Sequence, residues 1–224
     1  MKVAVLSDIH ANNFALNAVL KEIEFHNINT IIIAGDFVGY YFWPKETLEL
    51  LDLNKIIAIK GNHEEILFDI IDDKKNKIEV IKKYGSGIME AINCLDDKQI
   101  DWLRNLPTSR SFQINNKKIT MSHGSPWDPN LYIYPDAKKS IIDRCFSENE
   151  DIIILGHTHY QMLHRKKDRI LLNPGSVGQP RDGKVGAHWS LLDLDTLEVK
   201  FFCTKYDNSI IKDEVLKRLG NKIG

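Results

Sequence analysis

The chain has 224 residues, 43% of them hydrophobic and 27% charged, with a formal net charge of -1. That length suits one large domain, because a single core can grow to roughly 250 residues before chains split, and the mixed composition excludes a disordered or low-complexity chain. Near-neutrality excludes a global electrostatic pull towards nucleic acid or an anionic membrane, so any anion preference has to be local.

Taken in chain order, Val3 to Ser7 is a short β-branched run ending in the polar tip Asp8-Ile9-His10, as a buried central strand would. Its apolar part falls far short of the roughly 20 residues a bilayer span needs, so no targeting or anchoring segment is expected. Asn12 or Asn13 can cap a helix carrying the stripe Phe14, Leu16, Val19, Leu20 and Ile23. The unit repeats: a strand over Thr30 to Ala34 ends at Gly35-Asp36, a helix follows over Lys45 to Leu53, and a third strand over Ile56 to Ile59 ends at Gly61-Asn62-His63. The charge run Asp72 to Lys77 reads as a solvated loop, with helices predicted over Lys77 to Leu95 and Lys98 to Leu106, the second capped by Asp96 or Asp97.

The period then changes. Ser109 to Ile114 and Lys117 to Ser122 flank Asn115-Asn116, a hairpin turn signal, and the second run ends at His123. A helix over Asp136 to Phe146 leads to an apolar strand, Asp151 to Leu155, that stops at Gly156-His157-Thr158-His159. Strands are predicted over Gln161 to His164, Arg169 to Leu172, His188 to Asp193 and Val199 to Thr204, with a terminal helix from Ile210. The fold class is therefore α/β with a β-rich, antiparallel second half (α+β in that sense), read as a single domain over 1–224. Cys94, Cys145 and Cys203 lie far apart, which indicates neither a disulfide framework nor a CxxC zinc site and suits a reducing cytoplasm.

Asp8, Asp36, Asn62, His123 and His157 each follow the end of an apolar strand, and in open α/β sheets ligand sites form at the carboxyl ends of strands. Asp8-Ile9-His10 and His157-Thr158-His159 each place two ligand-capable side chains at alternate positions, which point the same way in an extended segment. Oxygen and imidazole donors without thiolate suit borderline divalent ions such as Mn, Fe, Ni, Co or Zn. Either triplet alone is weak, since a solvated loop or a hydrogen-bonded histidine explains it as well; the ordered set is strong.

The motifs Asp8-Ile9-His10, Gly35-Asp36, Gly61-Asn62-His63-Glu64, His123 and Gly156-His157-Thr158-His159 resemble, in order and spacing, those of the calcineurin-like metallophosphoesterase family. The resemblance implies a four-layer α/β/β/α sandwich with two divalent ions, manganese first among the candidates. It places one ion on Asp8, His10, Asp36 and His159, the other on Asp36, Asn62, His123 and His157, with Asp36 as the bridge. Two ions roughly 3.5 to 4 Å apart can generate a hydroxide and clamp the attacking and leaving oxygens of an in-line displacement at phosphorus. His63, beside the ligands, would donate a proton to the leaving group; a histidine that only hydrogen-bonds its loop is the alternative. His26, His164 and His188 match no motif.

Two departures narrow the substrate. Protein phosphatases of this family, and symmetrical diadenosine tetraphosphatases, follow Gly-Asp with an Asp-Arg-Gly, whereas this chain continues Phe37-Val38-Gly39-Tyr40. That sequence, with Ser122-His123-Gly124-Ser125-Pro126 and Asn173 to Gly183, is similar to a prokaryotic subgroup implicated in phosphodiester hydrolysis and asymmetric cleavage of diadenosine tetraphosphate. Arg181 could supply the missing phosphate charge. Tyr40, with Tyr41, Phe42 and Trp43, could stack a nucleobase or instead pack the following helix. Arg165-Lys166-Lys167-Asp168-Arg169 reads as a solvated turn. The expected partner is a small phosphorylated substrate, a nucleotide among the candidates, with no membrane and no extended nucleic-acid surface; the oligomeric state stays open, a homodimer included. A phosphomonoesterase and a non-catalytic metal-binding scaffold are the rival readings.

Overall fold

The chain's structure, a computed structural model, describes residues 1–147 and 149–220; the rest of the expected 1–224 span lies outside the described residues. In chain order the elements are β1 (Lys2–Leu6), α1 (Asn13–Phe25), β2 (Ile31–Ile33), α2 (Pro44–Glu49), β3 (Ile57–Ala58), α3 (Asn62–Ile71), α4 (Lys77–Tyr84), α5 (Gly87–Cys94) and α6 (Asp97–Asn105). Then come β4 (Ser109–Ile114), β5 (Lys117–Ser122), α7 (Lys139–Cys145), β6 (Ile152–Ile154), β7 (Gln161–Lys166), β8 (Arg169–Pro174), β9 (Ala187–Asp193), β10 (Val199–Thr204) and α8 (Ser209–Gly220).

The strands form two five-stranded mixed sheets, ordered β10-β9-β1-β2-β3 and β4-β5-β6-β8-β7. Strand alternation explains how they stack. In β1, Val3 and Val5 face the second sheet, meeting Ile119, Met121, Ile152, Ile154, Ile170 and Leu172 in one apolar layer, while Ala4 and Leu6 point the other way into the core under α1 and α3. The second sheet does the same: Ile152 and Ile154 face inward, and Ile153 with Leu171 packs outward against Ile142 and Cys145 of α7. Helix, sheet, sheet and helix are therefore four layers, the architecture that the family resemblance implied. Because each sheet is covered on both faces, its central strands read as unbroken apolar runs in the sequence.

The helices depart from expectation in three places, each for a local reason. α3 is absent from the expected elements, because Asn62-His63 looks like the end of a strand; yet Ile66, Leu67, Phe68 and Ile70 bury one face and Glu64 accepts from the Gly61 N–H at its start. The helix expected over Lys77 to Leu95 is broken at Gly85, whose φ of +78° ends α4 and which needs no side-chain accommodation there. α2 stops at Glu49, short of Leu53. The hairpin over β4 and β5 turns at Asn115-Asn116, both in the left-handed region that asparagine tolerates. α1 starts at Asn12, whose side-chain oxygen accepts from the Ala15 N–H, and Asp96 caps α6 with Gln99 reciprocating.

The inter-sheet layer is where the stability of this arrangement concentrates. Ile152→Ala, at a fully buried inter-sheet position, is expected to lower unfolding free energy in a urea titration by about 2–5 kcal/mol. Ile210→Ala, at a half-exposed position of α8, should change it by less than about 0.5 kcal/mol; equal losses at the two sites would contradict the layer assignment.

Candidate metal centre

β1, β2 and β3 run parallel in one sheet, and β5 and β6 run parallel in the other, so their carboxyl ends deliver the polar tips to a common edge. The chain must turn sharply at those tips. Asp8, His10, Asp36, His157 and His159 all adopt φ between 52° and 67°, the left-handed region that non-glycine residues seldom occupy. Such clustered backbone strain persists only where surrounding contacts fix it, and it marks functional edges.

Those contacts are explicit. The Asp8 N–H donates to Gly35 O at 3.0 Å and the His10 N–H to Asp36 O at 2.9 Å, tying the first two tips together. The carboxylate of Glu64, fully buried, accepts four backbone N–H groups, from Asp36 (2.9 Å), Phe37 (2.8 Å), Val38 (3.1 Å) and Gly61 (2.8 Å). The second and third tips are thus held by one side chain. Burial and the neighbouring Asp36 carboxylate push the Glu64 carboxyl up to about 7, with the N–H donors pulling the other way. From the second sheet, the His157 N–H donates to Asp8 Oδ2 at 3.1 Å, and Ser176 Oγ donates to Asp8 O at 2.6 Å.

The imidazoles are aimed by their far nitrogens. Nδ1–H of His10 donates to Val38 O (3.1 Å), that of His123 to Ala34 O (2.7 Å) and that of His159 to Gln179 O (2.5 Å). A carbonyl only accepts, so each Nδ1 carries a proton, and in the neutral ring, the form that binds a metal, the lone pair sits on the inward Nε2. His157 is reversed: its Nε2–H donates to Asn130 O at 3.2 Å, leaving Nδ1 for the centre. The inward atoms crowd together. His10 Nε2 lies 3.0 Å from His159 Nε2, and Asp8 Oδ1 lies 3.3 Å from His159 Nε2 and 3.8 Å from both His10 Nε2 and His123 Nε2. Asp36 Oδ2 is 3.1 Å from His123 Nε2 and 3.7 Å from His10 Nε2, and Asn62 Oδ1 is 3.2 Å from His123 Nε2.

Lone pairs and carboxylates so placed need a positive charge among them. Asp8 Oδ1 is buried without a hydrogen-bond partner among the described residues, a costly situation that a cation relieves. Burial works against ionisation of Asp36, but the His123 and His63 imidazoles overcome it and hold the carboxyl well below its usual range. Burial alone would lower His123, yet the Asp36 and Asp8 carboxylates outweigh it and push the imidazole up to about 10. Asp8-His10-His159 and Asp36-His123-His157 each bring their ligand atoms within 4.8 Å of one another. The nitrogen and oxygen donors fit borderline divalent ions.

A family model of the calcineurin-like phosphoesterase superfamily domain matches residues 1–197. The chain belongs to the calcineurin-like phosphoesterase superfamily. This places it among metal-dependent phosphoester hydrolases. It is 31% identical over 245 residues to the uncharacterized protein MJ0912 of Methanocaldococcus jannaschii, covering 99% of this chain and 96% of that one. It is 27% identical over 176 residues to the phosphodiesterase MJ0936 of the same organism, covering 78% and 83% respectively. Its fold is similar to the crystal structure of the hypothetical protein PH1004 from Pyrococcus horikoshii OT3, with a TM-score of 0.83, 26% identity and coverage of 97% and 93%.

Around this superfamily's edge, the remaining sequence candidates separate. His63 is buried, with its ring 4.6 Å from that of His10 and 4.7 Å from that of Tyr40, and it forms a third close group with His10 and Asp36. Burial pushes its imidazole below the usual histidine range while Asp36 pulls it back up. Gly39, with φ of +90°, passes so close that an added Cβ would meet His63 Nδ1 at 2.0 Å. Tyr40 and Arg181 are brought together, Arg181 Nη2–H donating to the Tyr40 hydroxyl at 3.2 Å. The aromatic run beyond Tyr40 does not line the site as one wall: Trp43 packs edge-on against Phe14 of α1 at 5.0 Å, and Phe42 lies under the Arg218 guanidinium at 4.0 Å. The basic turn between β7 and β8 lies at a hairpin tip, its Lys167 exposed. Sequence reasoning missed two neighbours of the site: Glu64, present in the Gly61 to Glu64 motif but given no role, and Tyr132, which stacks on His157 with ring centroids 3.8 Å apart.

Two substitutions test how the centre is held. Glu64→Ala leaves four buried N–H groups without their acceptor; at about 1–3 kcal/mol for each buried donor left unsatisfied, a loss of at least about 2 kcal/mol is expected by urea denaturation. A loss below about 0.5 kcal/mol would contradict the clamp. Gly39→Ala should displace His63, seen as a shift of its ring resonances in a histidine-selective NMR spectrum, and an unshifted ring would show the contact to be loose.

Proposed function

We propose that the chain hydrolyses small phosphodiester or dinucleoside polyphosphate substrates, with Asp8, His10, Asp36, Asn62, His123, His157 and His159 holding two divalent cations, manganese first and Fe, Ni, Co or Zn as substitutes. The observation that carries this reading is the position of Asp36, whose Oδ2 lies 3.7 Å from His10 Nε2 and 3.1 Å from His123 Nε2. Asp36 is the residue shared by the close group with His10 and His63 and the close group with His123 and His157, as a bridge would be. Bound there, the ions would supply Lewis acidity and lower the pKa of water at the phosphorus.

The protein's own groups divide the remaining work. The strand tips fix the ligand atoms before substrate arrives, so little reorganisation is needed during the reaction. His63 sits beside the ligands on the rigid start of α3, where its imidazole can pass a proton to the leaving-group oxygen; an anionic phosphate in the site favours the protonated ring and opposes the effect of burial. Arg181, half-buried and anchored by the Tyr40 hydroxyl, is placed to hold a non-reacting phosphate oxygen.

The preference for a diester or dinucleotide rests on the two residues after Asp36. Phe37 and Val38 are fully buried in the core under the helices, so no arginine reaches the phosphate from that loop as it would in an Asp-Arg-Gly sequence. The charge comes from Arg181 on a separate loop. The named phosphodiesterase MJ0936 supports the same substrate class.

A metal-by-substrate screen with Mn, Ni, Co, Fe, Zn and Mg against a bis-aryl phosphodiester, an aryl phosphomonoester and diadenosine tetraphosphate tests the reading. Diester or dinucleotide turnover above monoester turnover is expected, and monoester preference would favour a phosphomonoesterase. No turnover with any metal would favour a binding scaffold. His63→Ala should lower kcat by about 10²–10⁴-fold with metal content unchanged; wild-type kcat would remove His63 from proton transfer.

A further inference from the structure

The loop between β5 and α7 brings two aromatic rings to the edge of the metal centre, and their contacts there leave both partly open to solvent. Tyr132 lies face to face with His157, centroids 3.8 Å apart and planes 27° apart, and Tyr134 lies nearly parallel to Tyr132, at 5.8 Å and 10°. Yet Tyr132 is 45% exposed and Tyr134 is 40% exposed. Large rings left this open on the rim of the metal-ligand cluster are candidates for binding.

The loop that carries them is fixed. Ser125 N–H donates to Asp128 O at 2.8 Å, Asp128 N–H to Ser125 Oγ at 2.9 Å, and Asn130 N–H to Asp128 Oδ1 at 2.9 Å. Asn130 O then accepts from His157 Nε2–H, which ties the loop to a ligand side chain. The rings are therefore presented in a set geometry, and binding to them costs little ordering. Beyond Tyr134 the surface falls into a depression of about 500 Å³ lined by Tyr134, Pro135, Asp136 and Tyr160, with Tyr160 edge-on to Tyr134 at 5.8 Å.

A positive charge lies close to the rings. Arg181 makes no ion pair with a carboxylate among the described residues; its partners are the Tyr40 hydroxyl and Gln179 Oε1 at 3.3 Å. Its guanidinium also acts on the Tyr132 hydroxyl, opposing the rise that burial causes there. A guanidinium without a carboxylate counter-ion among the described residues and an exposed pair of aromatic rings, both beside the metal-ligand cluster, offer neighbouring contacts for the phosphate and the base of a nucleoside phosphate. Resting on the phosphoesterase reading above, we propose that Tyr132 and Tyr134 form a nucleobase platform, so that this site selects nucleotidyl phosphoesters over phosphoesters lacking a base.

Stacking on an aromatic face serves any base, since each has a π surface, and makes a contribution per base large enough to measure as an affinity ratio. The test compares AMP with ribose 5-phosphate as inhibitors of bis-p-nitrophenyl phosphate hydrolysis by the manganese-loaded full chain. The two probes differ by the base alone, so a role of Tyr132 in supporting His157 would change both inhibition constants and leave their ratio fixed. In the wild type AMP should inhibit at a concentration on the order of ten-fold lower. Tyr132→Ala and Tyr134→Ala should each bring the ratio towards one, while Tyr132→Phe keeps it. A wild-type ratio of one, or an unchanged ratio in both alanine variants, would overturn the platform. Should the wild type fail to hydrolyse the reporter with any metal, the phosphoesterase reading fails, and calorimetric titration of the same variants with AMP and ribose 5-phosphate still decides the platform by the same ratio.

Discussion

Two buried carboxylates surrounded by imidazoles whose protons are already committed elsewhere set the terms for everything at this edge. Nδ1–H of His10, His123 and His159 each goes to a backbone carbonyl, so three Nε2 lone pairs converge on Asp8 and Asp36. Two acids and three lone pairs confined to one cluster repel unless positive charge stands between them. A protonated histidine can serve, as the upward push on His123 indicates, but a divalent ion satisfies more donors at once and does so with the tautomers already in place.

The fold exists to bring those donors from distant parts of the chain to one point. Asp8 and His159 are separated by 151 positions, yet Asp8 Oδ1 and His159 Nε2 are 3.3 Å apart. Stacking two sheets with parallel central strands does this economically: β1 and β2 end where β5 and β6 end, and the inter-sheet layer of Val3, Val5, Ile152 and Ile154 fixes the distance between the two sets of tips. The strain of five left-handed non-glycine residues is borne by Glu64, Ser176 and the Asp8 carboxylate, which bind the loops to one another. Close packing there leaves no room for a Cβ: one added at Gly61 would meet Asp36 Oδ1 at 2.1 Å.

Much of this was legible in the sequence because the central strands are covered on both faces. Val3 to Ser7 and Asp151 to Leu155 announce themselves as apolar runs that stop at polar tips, and the hairpin at Asn115-Asn116 follows from residue chemistry alone. α3 was hidden because its first residues double as site residues, so Asn62-His63 read as a strand's end, and the helical stripe Ile66, Leu67 and Ile70 begins only afterwards. The break at Gly85 lay within an otherwise helical pattern, where a single glycine is a weak signal. At the site, the ligand-capable residues were readable from their positions after strands. The clamp by Glu64 and the stacking of Tyr132 on His157 were not, because each depends on which loops meet in three dimensions. The aromatic run after Tyr40 shows the converse: four adjacent rings suggested one surface, but the backbone's turn sends Trp43 to α1 and Phe42 to α8.

The substrate question and the metal question meet at the same loops, since Arg181, Tyr40 and Tyr132 reach the centre from three separate segments and touch one another or its ligands. On the proposed reading, both depend first on two cations with Asp36 between them. Metal content of the manganese-equilibrated protein, measured by inductively coupled plasma mass spectrometry for the wild type and for Asp36→Asn, tests that directly. Two equivalents per wild-type chain, falling to one or fewer in Asp36→Asn while the far-ultraviolet circular dichroism is retained, is the predicted result. A wild-type chain that binds no manganese, or an Asp36→Asn variant that keeps two equivalents, would contradict it.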